Sequence, residues 1–403
     1  MSSESTVSYN KKSVTDIDVK GKKVLLRCDF NVPIDKETGK IRDEGRITSA
    51  LPTINYLLDN GASVIACSHF GRPKGEFKPE FSLAPVAESL SKHLGKPVFM
   101  AKDVIGEDAV RLAEELKPGE IMLLENTRFH PEEEKNDPEF AKKLADLANI
   151  FVSDAFGSVH RAHASTEGVS HYLPAVSGFL LKKELDYIGG AISDPKRPLV
   201  AILGGAKVSD KLGVISNLIK ISDAIIIGGG MAYTFFKAEG GKIGNSLCED
   251  SEFESVLKCK EEAKERGVKL MLPVDSIAGT EFSNDSKPNT YESNAIPDGM
   301  MAMDIGPHAI EEFTKEIAEA GTIVWNGPMG VFEFSKFAEG TRAVANAVAN
   351  SNAISIIGGG DSAAAVRKFG VEDKITHIST GGGASLEFME GKILPGIACL
   401  LDA

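Results

Sequence analysis

A chain of 403 residues exceeds what one hydrophobic core usually supports, so two domains of about 180–200 residues are expected. Its 42% hydrophobic and 26% charged residues are those of an ordinary globular protein, and a formal net charge of −13 leaves no broad basic face for nucleic acid. No apolar run approaches the ~20 residues that span a bilayer, the polar N-terminal stretch has no signal-peptide core, and five scattered cysteines without a C-x-x-C pair point to a reduced, cytoplasmic setting.

In the first half, residues 23–27 read as a buried strand, 48–59 as a helix, 63–67 as the next strand and 83–94 as a helix. Strands at 121–124 and 150–153 follow, separated by a helix over 138–147. Strands alternating with helices indicate a parallel sheet covered on both faces. Ligands of such sheets gather at the carboxyl ends of the strands. Those ends carry 27–31, 68–72, 125–128 and 154–161, and so hold Arg27, Asp29, Asn31, His69, Arg72, Arg128 and Arg161, with Arg46 and His163 close by in sequence. These residues stand mostly beside Gly, Pro, Asn or aromatic residues, without the carboxylate spacing of exposed helix faces. In an acidic chain such a positive cluster is local. Arginine's planar fork suits bidentate contact, so converging arginines imply a small, highly charged anion. Asp29 and Asn31, two apart, share one face in extended geometry.

Residues 178–192 read as one helix with Leu180, Leu181, Leu185 and Ile188 on its apolar face, and 193–198 as a Pro-rich break and candidate boundary. A second alternating set follows, with strands at 199–203, 224–227, 269–274, 322–325, 354–357 and 375–378; the stretches 276–294 and 300–306 read as loop-rich. Three apolar runs end in glycine triplets: Gly228, Gly229 and Gly230; Gly358, Gly359 and Gly360; and Gly381, Gly382 and Gly383. Glycine there permits positive φ and close approach of a ligand, and the helix that follows favours phosphate at its start. Three such turns suggest a polyphosphate site along one sheet edge.

The remaining motifs narrow the chemistry. A Walker loop is absent, and GGGDSA (358–363) fits only a relaxed dinucleotide pattern, because the next strand closes with His377, Ser379 and Thr380 where a ribose-binding acid is needed. No G-x-S-x-G elbow appears, and His160 and His163 lack a zinc-site context. Asp361, directly after a glycine turn, reads either as a Mg²⁺ ligand or as a helix N-cap. GGAKVSDK (204–211) places Lys207 and Lys211 at i and i+4 on one helix face, which suits either a shared anion or a solvated face. In WNGPMGVFE (325–333) Trp325 reads as core, with Asn326 and Glu333 as hydrogen-bonding candidates.

Taken together, LRCDFNVP (26–33), EGRITSALPT (44–53), SHFGRPKG (68–75), LLENTRFHPEE (123–133), SDAFGSVHRAHAS (153–165), GGAKVSDK, IIIGGGMAYTF (225–235), WNGPMGVFE, GGGDSAAA and STGGGASLE (379–387) resemble the phosphoglycerate kinase family, in order and over nearly the whole chain. The resemblance implies an α/β fold of two doubly wound parallel-sheet (Rossmann-like) domains joined by a helix and hinge. It implies a triose-phosphate-binding domain at 1–185, to which a tail at 393–403 packs back, and a nucleotide-binding domain at 186–392. The implied activity is reversible phosphoryl transfer between 1,3-bisphosphoglycerate and ADP, giving 3-phosphoglycerate and ATP, by a monomeric, Mg²⁺-dependent glycolytic enzyme with no nucleic-acid or membrane partner.

Position by position, the family's triose site falls on Asp29, Phe30, Asn31, Arg46, His69, Phe70, Gly71, Arg72, Arg128 and Arg161. Its nucleotide site falls on Gly205, Lys207, Lys211, Gly228, Gly229, Ala302, Asn326, Glu333, Gly358, Gly359, Gly360, Asp361 and Ser362, with Asp361 holding the metal. The catalytic groups are expected to be Arg46, Lys207, Gly359 and Gly382. Ser362 stands where the family commonly has Thr, and Ala302 and Met303 where it has Gly and Leu; the fit around adenine is where the chain departs most. Transfer of this kind needs in-line placement and charge neutralisation and no general base. A cleft that closes over both ligands is expected, with 178–192 and 379–383 as flexible junctions and Glu184 and His377 as partners across them. A dehydrogenase and a non-catalytic phosphate-binding protein are the rival readings.

Overall fold

A computed structural model describes residues 9–403; of the polar N-terminal stretch, residues 1–8 lie outside the described residues. The chain divides into two compact units, Met1–Asp186 with Ile393–Ala403, and Tyr187–Lys392.

The first unit is built on β1 (Lys23–Arg27), β2 (Ser63–Cys67), β3 (Val98–Met100), β4 (Ile121–Leu123), β5 (Ile150–Ser153) and β6 (Ala175–Ser177), in the order β3-β4-β2-β1-β5-β6. Every pairing is parallel. The middles of the central strands are apolar because both faces are covered: Val24, Leu26, Val64 and Val152 are fully buried against Ile47, Ile54 and Leu57 of the helix Gly45–Asp59, and Leu25, Ile65 and Phe151 are fully buried on the other face. Arg27 is level with Cys67 on one side and with Ser153 on the other, so the loops after β1, β2 and β5 leave the sheet at one edge. The winding reverses between β1 and β5, which makes that edge a switch point. The stretch Ile393–Ala403 completes this unit: Leu401 donates from its amide to the Ala175 carbonyl at 3.0 Å and accepts from the Lys12 amide at 2.8 Å.

The second unit repeats the plan with β7 (Leu199–Leu203), β8 (Ala224–Ile227), β9 (Lys242–Ile243), β10 (Lys269–Met271), β11 (Asp275–Gly279), β12 (Asn289–Glu292), β13 (Ala295–Ile296), β14 (Met301–Ile305), β15 (Thr322–Asn326), β16 (Ile354–Gly358) and β17 (His377–Ile378). Its parallel sheet runs β10-β8-β7-β15-β16-β17, with the switch point between β7 and β15. Trp325 is fully buried in the core beneath it, and its indole N–H donates to the Gly327 carbonyl at 2.7 Å.

Three readings of the sequence are corrected here. The span 178–192 is not one α-helix: α-helical Phe179–Glu184 passes through a π turn, Leu185–Gly189, into a short helix, Gly190–Ser193. The adjoining Gly189 and Gly190 weaken the regular ladder there. The division between units falls inside this π turn, and the Pro-rich 193–198 lies wholly in the second unit. The stretch read as loop-rich contains an antiparallel sheet, β12-β11-β14, on which Ala278 and Ala302 are buried.

Buried aspartates sit at helix starts in both units, and in two of them, Asp154 and Asp304, the carboxyl is strongly perturbed. The Asp154 Oδ1 accepts from the amides of Leu180 and Leu181 at 2.9 and 3.2 Å, while its Oδ2 is buried without a hydrogen-bond partner. Asp304 accepts from the amides of Ile305 and Gly340 at 2.8 and 2.9 Å. Burial pushes both carboxyls up to about 7.

Candidate active site

In the first unit the loops after β1, β2 and β4 are tied together by side chains. Asn31 accepts on Oδ1 from the Gly71 amide at 2.9 Å, and Arg128 donates to the Gly71 carbonyl at 3.2 Å. Asn126 accepts from the amides of Phe70 and Arg128 at 3.1 and 3.0 Å. Arg46, half exposed on the first turn of its helix, donates to the Asn31 carbonyl and pairs with Asp29 at 3.3 Å. Asp29 and Asn31 thus hold the loop and the arginine in place.

The electrostatics of this edge favour an anion. The Arg128 Nε is buried with no hydrogen-bond partner, its nearest carboxylate being Glu134 at 3.6 Å. A buried guanidinium donor left unpaired is costly unless a ligand supplies the acceptor. Burial lowers the pKa of Arg128, and it holds His69 well below the usual histidine range, with Arg27, Arg128 and Arg46 adding to the effect. Arg72 and Arg161 are exposed at the same strand ends. Phe30 and Phe70 are not: both rings are buried in the core, so only their main chains are open to a ligand. Their hydrophobicity, in a motif otherwise polar, pointed inward from the start.

In the second unit two cavities lie over the β7–β15 switch point. One, of about 500 Å³, is lined by apolar groups including Leu247, Phe282, Met303 and Val331, with Gly229, Ala302 and Glu333 at its wall. The other, of about 230 Å³, is lined by Lys207, Lys211, Asn326, Gly359, Gly360 and Ser362. Gly205, Ala206, Pro328 and Asp361 line both, so the two are joined. An apolar chamber of this size beside a small polar one, where Lys207 and Lys211 stand with Asp210 and Asp361, fits a flat base next to a metal-bound polyphosphate.

Local backbone explains the cradle. A Cβ at Gly204 would overlap the Pro328 carbonyl, so the turns after β7 and β15 can meet only through glycine. Gly359 takes φ +91° as the N-cap of the helix Gly360–Lys368, which leaves Asp361 one residue inside the helix with no capping bond. Of its two sequence readings, the cap is the one the structure removes. Ser362 is fully buried and its hydroxyl accepts from the Gly327 amide at 2.6 Å, holding the turn. Lys211 donates to Asn326 Oδ1, and burial lowers its pKa to about 8.

The expected i, i+4 lysine pair is not on one helix face. Lys207 is extended before a single 3₁₀ turn, Val208–Asp210, and Lys211 precedes the helix Leu212–Ile221. Both still line the small cavity, from a loop. The triplets also divide their labour: of their glycines only Gly359 and Gly360 line the small polar cavity, Gly229 and Gly230 line the apolar one, and Gly228 packs against Met329. Gly358 lies under Asn326, and Gly382, at φ +45° before the helix Gly383–Met389, lines neither cavity. Glu133 and Ser165 were absent from the expected site, and Arg27 was read there as one of the positive cluster but not among the triose contacts; the three form a buried polar chain at this edge.

Fold and site together define a phosphotransferase: two parallel α/β units, one with an arginine-lined edge and one with a base-and-phosphate cradle. A family model described as phosphoglycerate kinase matches residues 14–392. The chain is 57% identical over 399 residues to the phosphoglycerate kinase of Clostridium botulinum (strain Okra / Type B1), covering 98% of this chain and 100% of that one. It is 56% identical to that of Clostridium tetani, covering 98% and 99%. Among solved structures it is similar to phosphoglycerate kinase from Coxiella burnetii, with a TM-score of 0.91 at 45% identity, covering 96% of this chain and 98% of that one. The chain belongs to the phosphoglycerate kinase family. Kinases of this family take ATP/ADP as co-substrate.

Proposed function

We propose that the protein transfers a phosphoryl group reversibly between 1,3-bisphosphoglycerate and ADP, giving 3-phosphoglycerate and ATP. The observation that carries this reading is the joined pair of cavities in the second unit, one apolar and one polar with two lysines, sharing Gly205 and Asp361. The nucleotide's base would occupy the first and its phosphates the second, against Lys207, Lys211 and the amides of Gly359 and Gly360. The triose would be held at the strand ends of the first unit by Arg46, Arg72, Arg128, Arg161 and His69, with the unpaired Arg128 Nε meeting one of its anionic groups.

Chemistry then consists of placement and charge neutralisation. The attacking carboxylate of 3-phosphoglycerate is already ionised, so no base has to remove a proton. Arg46 and Lys207 would offset charge on the moving group, one from each unit, and a cleft closing over both ligands during turnover would bring both to one phosphoryl group. Among the described residues no three acidic, His or Cys side chains cluster as a metal cage. Asp361, free of a capping bond and lining both cavities, is the residue that would hold Mg²⁺, which supplies charge neutralisation on the phosphates when bound. Five free thiols support a reducing, cytoplasmic setting, and the net charge of −13 supports the absence of a nucleic-acid partner; we read the enzyme as a monomer.

A coupled assay for ATP formed from ADP and 1,3-bisphosphoglycerate tests the activity, and no turnover with this pair would refute it. For the metal, Asp361→Asn should lower activity in a way that added Mg²⁺ partly restores. Full activity of that variant at low Mg²⁺ would remove Asp361 from the metal site.

A further inference from the structure

Four polar side chains from four segments of the first unit form a chain that is almost wholly buried. Arg27, at the end of β1, and Glu133, on the short helix Pro131–Glu134, are each 1% exposed, Ser165 is fully buried, and His69 is 8% exposed. The Arg27 Nε donates to Ser165 Oγ at 2.8 Å. Ser165 passes the polarity on, donating from Oγ to Glu133 Oε2 and from its amide to Glu133 Oε1, both at 2.7 Å. At the other end the Arg27 Nη2 lies 3.1 Å from His69 Nδ1, and Nη1 donates to the Cys28 carbonyl.

The direction of every bond follows from the inventory of donors. A guanidinium has only donors, so His69 Nδ1 is the acceptor and carries no proton. A protonated Nδ1 would set donor against donor. An imidazolium would add a second buried positive charge beside Arg27, in a region where Arg128, Arg46 and His163 also disfavour it. The ring is therefore neutral, with its single proton on Nε2. The hydroxyl of Ser165 has one proton, spent on Glu133, and so it can only accept from Arg27. Glu133 sets the sense of the whole chain and offsets the buried guanidinium.

We propose that Glu133 is a positioning residue which, through Ser165 and Arg27, fixes His69 as the Nε2–H tautomer and so as a neutral hydrogen-bond donor to the carboxylate or phosphate of the three-carbon substrate. The proposal rests on the reading of this edge as the triose site. It explains how a histidine in an arginine-rich site can stay uncharged and still donate: Arg27 takes up Nδ1, which leaves the single ring proton on Nε2 for an oxygen anion that offers only acceptors.

The test is ring ¹⁵N NMR of the full chain labelled at histidine and without substrate, with the His69 signal identified by its loss in His69→Gln. Between about pH 6 and pH 8 the native protein should show an unprotonated Nδ1 and a protonated Nε2 at His69. In Ser165→Ala and in Glu133→Gln the two nitrogens should move towards averaged values. In parallel, KM for 3-phosphoglycerate should rise about tenfold, the scale of one hydrogen bond, while KM for ATP is unchanged. A protonated Nδ1 in the native protein overturns the proposal, and that measurement needs no variant to fold. Unchanged tautomer and KM in both variants overturn it equally. A native protein that shows the tautomer but does not turn over 3-phosphoglycerate would refute the functional reading and leave the buried chain standing.

Discussion

The two units share a parallel-sheet plan and a switch-point edge, yet they present different chemistry there. At the first edge the polar surface is made of side chains, with Arg46 braced by Asp29 and Asn31, and Arg128 braced by Gly71. At the second it is made largely of main chain, because Gly204, Gly205, Gly359 and Gly360 bring the backbone to the cavity wall. Side-chain forks suit a compact anion whose shape must be read from several directions. Backbone amides suit a phosphate chain that enters along a turn. On the function proposed above, the same sheet edge would serve either ligand according to whether arginine or glycine follows the strand.

If this contrast governs function, variants on the two sides should fail differently. The largest effect is expected from Arg46→Ala, which should lower kcat by about 10²–10⁴ with little change in nucleotide KM. A near-normal kcat with a raised triose KM would make Arg46 a ground-state binder instead. On the other side, Gly359→Ala forces a side chain into φ +91° and brings its Cβ to 3.2 Å from Asn326 Nδ2. KM for ATP should rise about tenfold while KM for 3-phosphoglycerate holds, as expected for strain confined to one backbone turn. Equal losses for both substrates would erase the distinction between the edges.

A smaller effect concerns pH. Burial brings Lys211 down to about 8, whereas a bound polyphosphate favours its charged form. Nucleotide affinity should therefore be full below about pH 8 and fall as pH rises through it, by at most about tenfold per unit, with proton uptake on binding. Calorimetry in buffers of different ionisation enthalpy reads that uptake, and Lys211→Met should abolish it. Affinity for 3-phosphoglycerate should not share this profile.

The smallest effect is on stability. Asp154 has its folded pKa raised to about 7 from 3.8, so its contribution is fully present below about pH 4 and lost as pH rises through 7. Asp154→Asn keeps an acceptor for Leu180 and Leu181 and removes the buried charge. At pH 8 it should stabilise the first unit on the order of 1–2 kcal/mol, and at pH 3.5, below the unfolded pKa, hardly at all. Scanning calorimetry at the two pH values would show it, and a variant less stable at both would mean that the carboxylate is paired in a way its geometry does not reveal.

Much of the architecture was legible in the sequence because doubly covered strands have to be apolar throughout. Lys23–Arg27, Ser63–Cys67, Leu199–Leu203 and Ala224–Ile227 stand where the runs of Val, Ile and Leu placed them. Val98–Met100 and Ala175–Ser177 were not legible: they are edge strands of three residues, too short for a pattern to declare itself. The antiparallel sheet at Asp275–Gly279 and its neighbours was hidden because its short strands, DSIAG and NTYE among them, mix polar and apolar residues without a clear period. At the site, the arginines and glycines could be read because their roles follow from fork shape and backbone freedom. Glu133 and Ser165 could not, since nothing in HPEEEK or HASTE says which carboxylate or hydroxyl turns inward. The same holds for Lys207 and Lys211, where the helix begins later than their spacing suggests.

The return of Ile393–Ala403 to the first unit also sets an order of assembly. Everything from Tyr187 to Lys392 is a loop that the first unit closes. During synthesis the second unit has its whole chain in hand before the first unit does, because the partners of Lys12 and Ala175 are translated only after it. The first unit emerges early but completes late, and until Leu401 arrives the outer edge of Ala175–Ser177 lacks that partner. Closing so long a loop costs entropy that grows only with the logarithm of its length, so a second unit already folded in the meantime makes the closure easier. The part of the protein made first is therefore the part whose last contacts are supplied by residues made after the other unit.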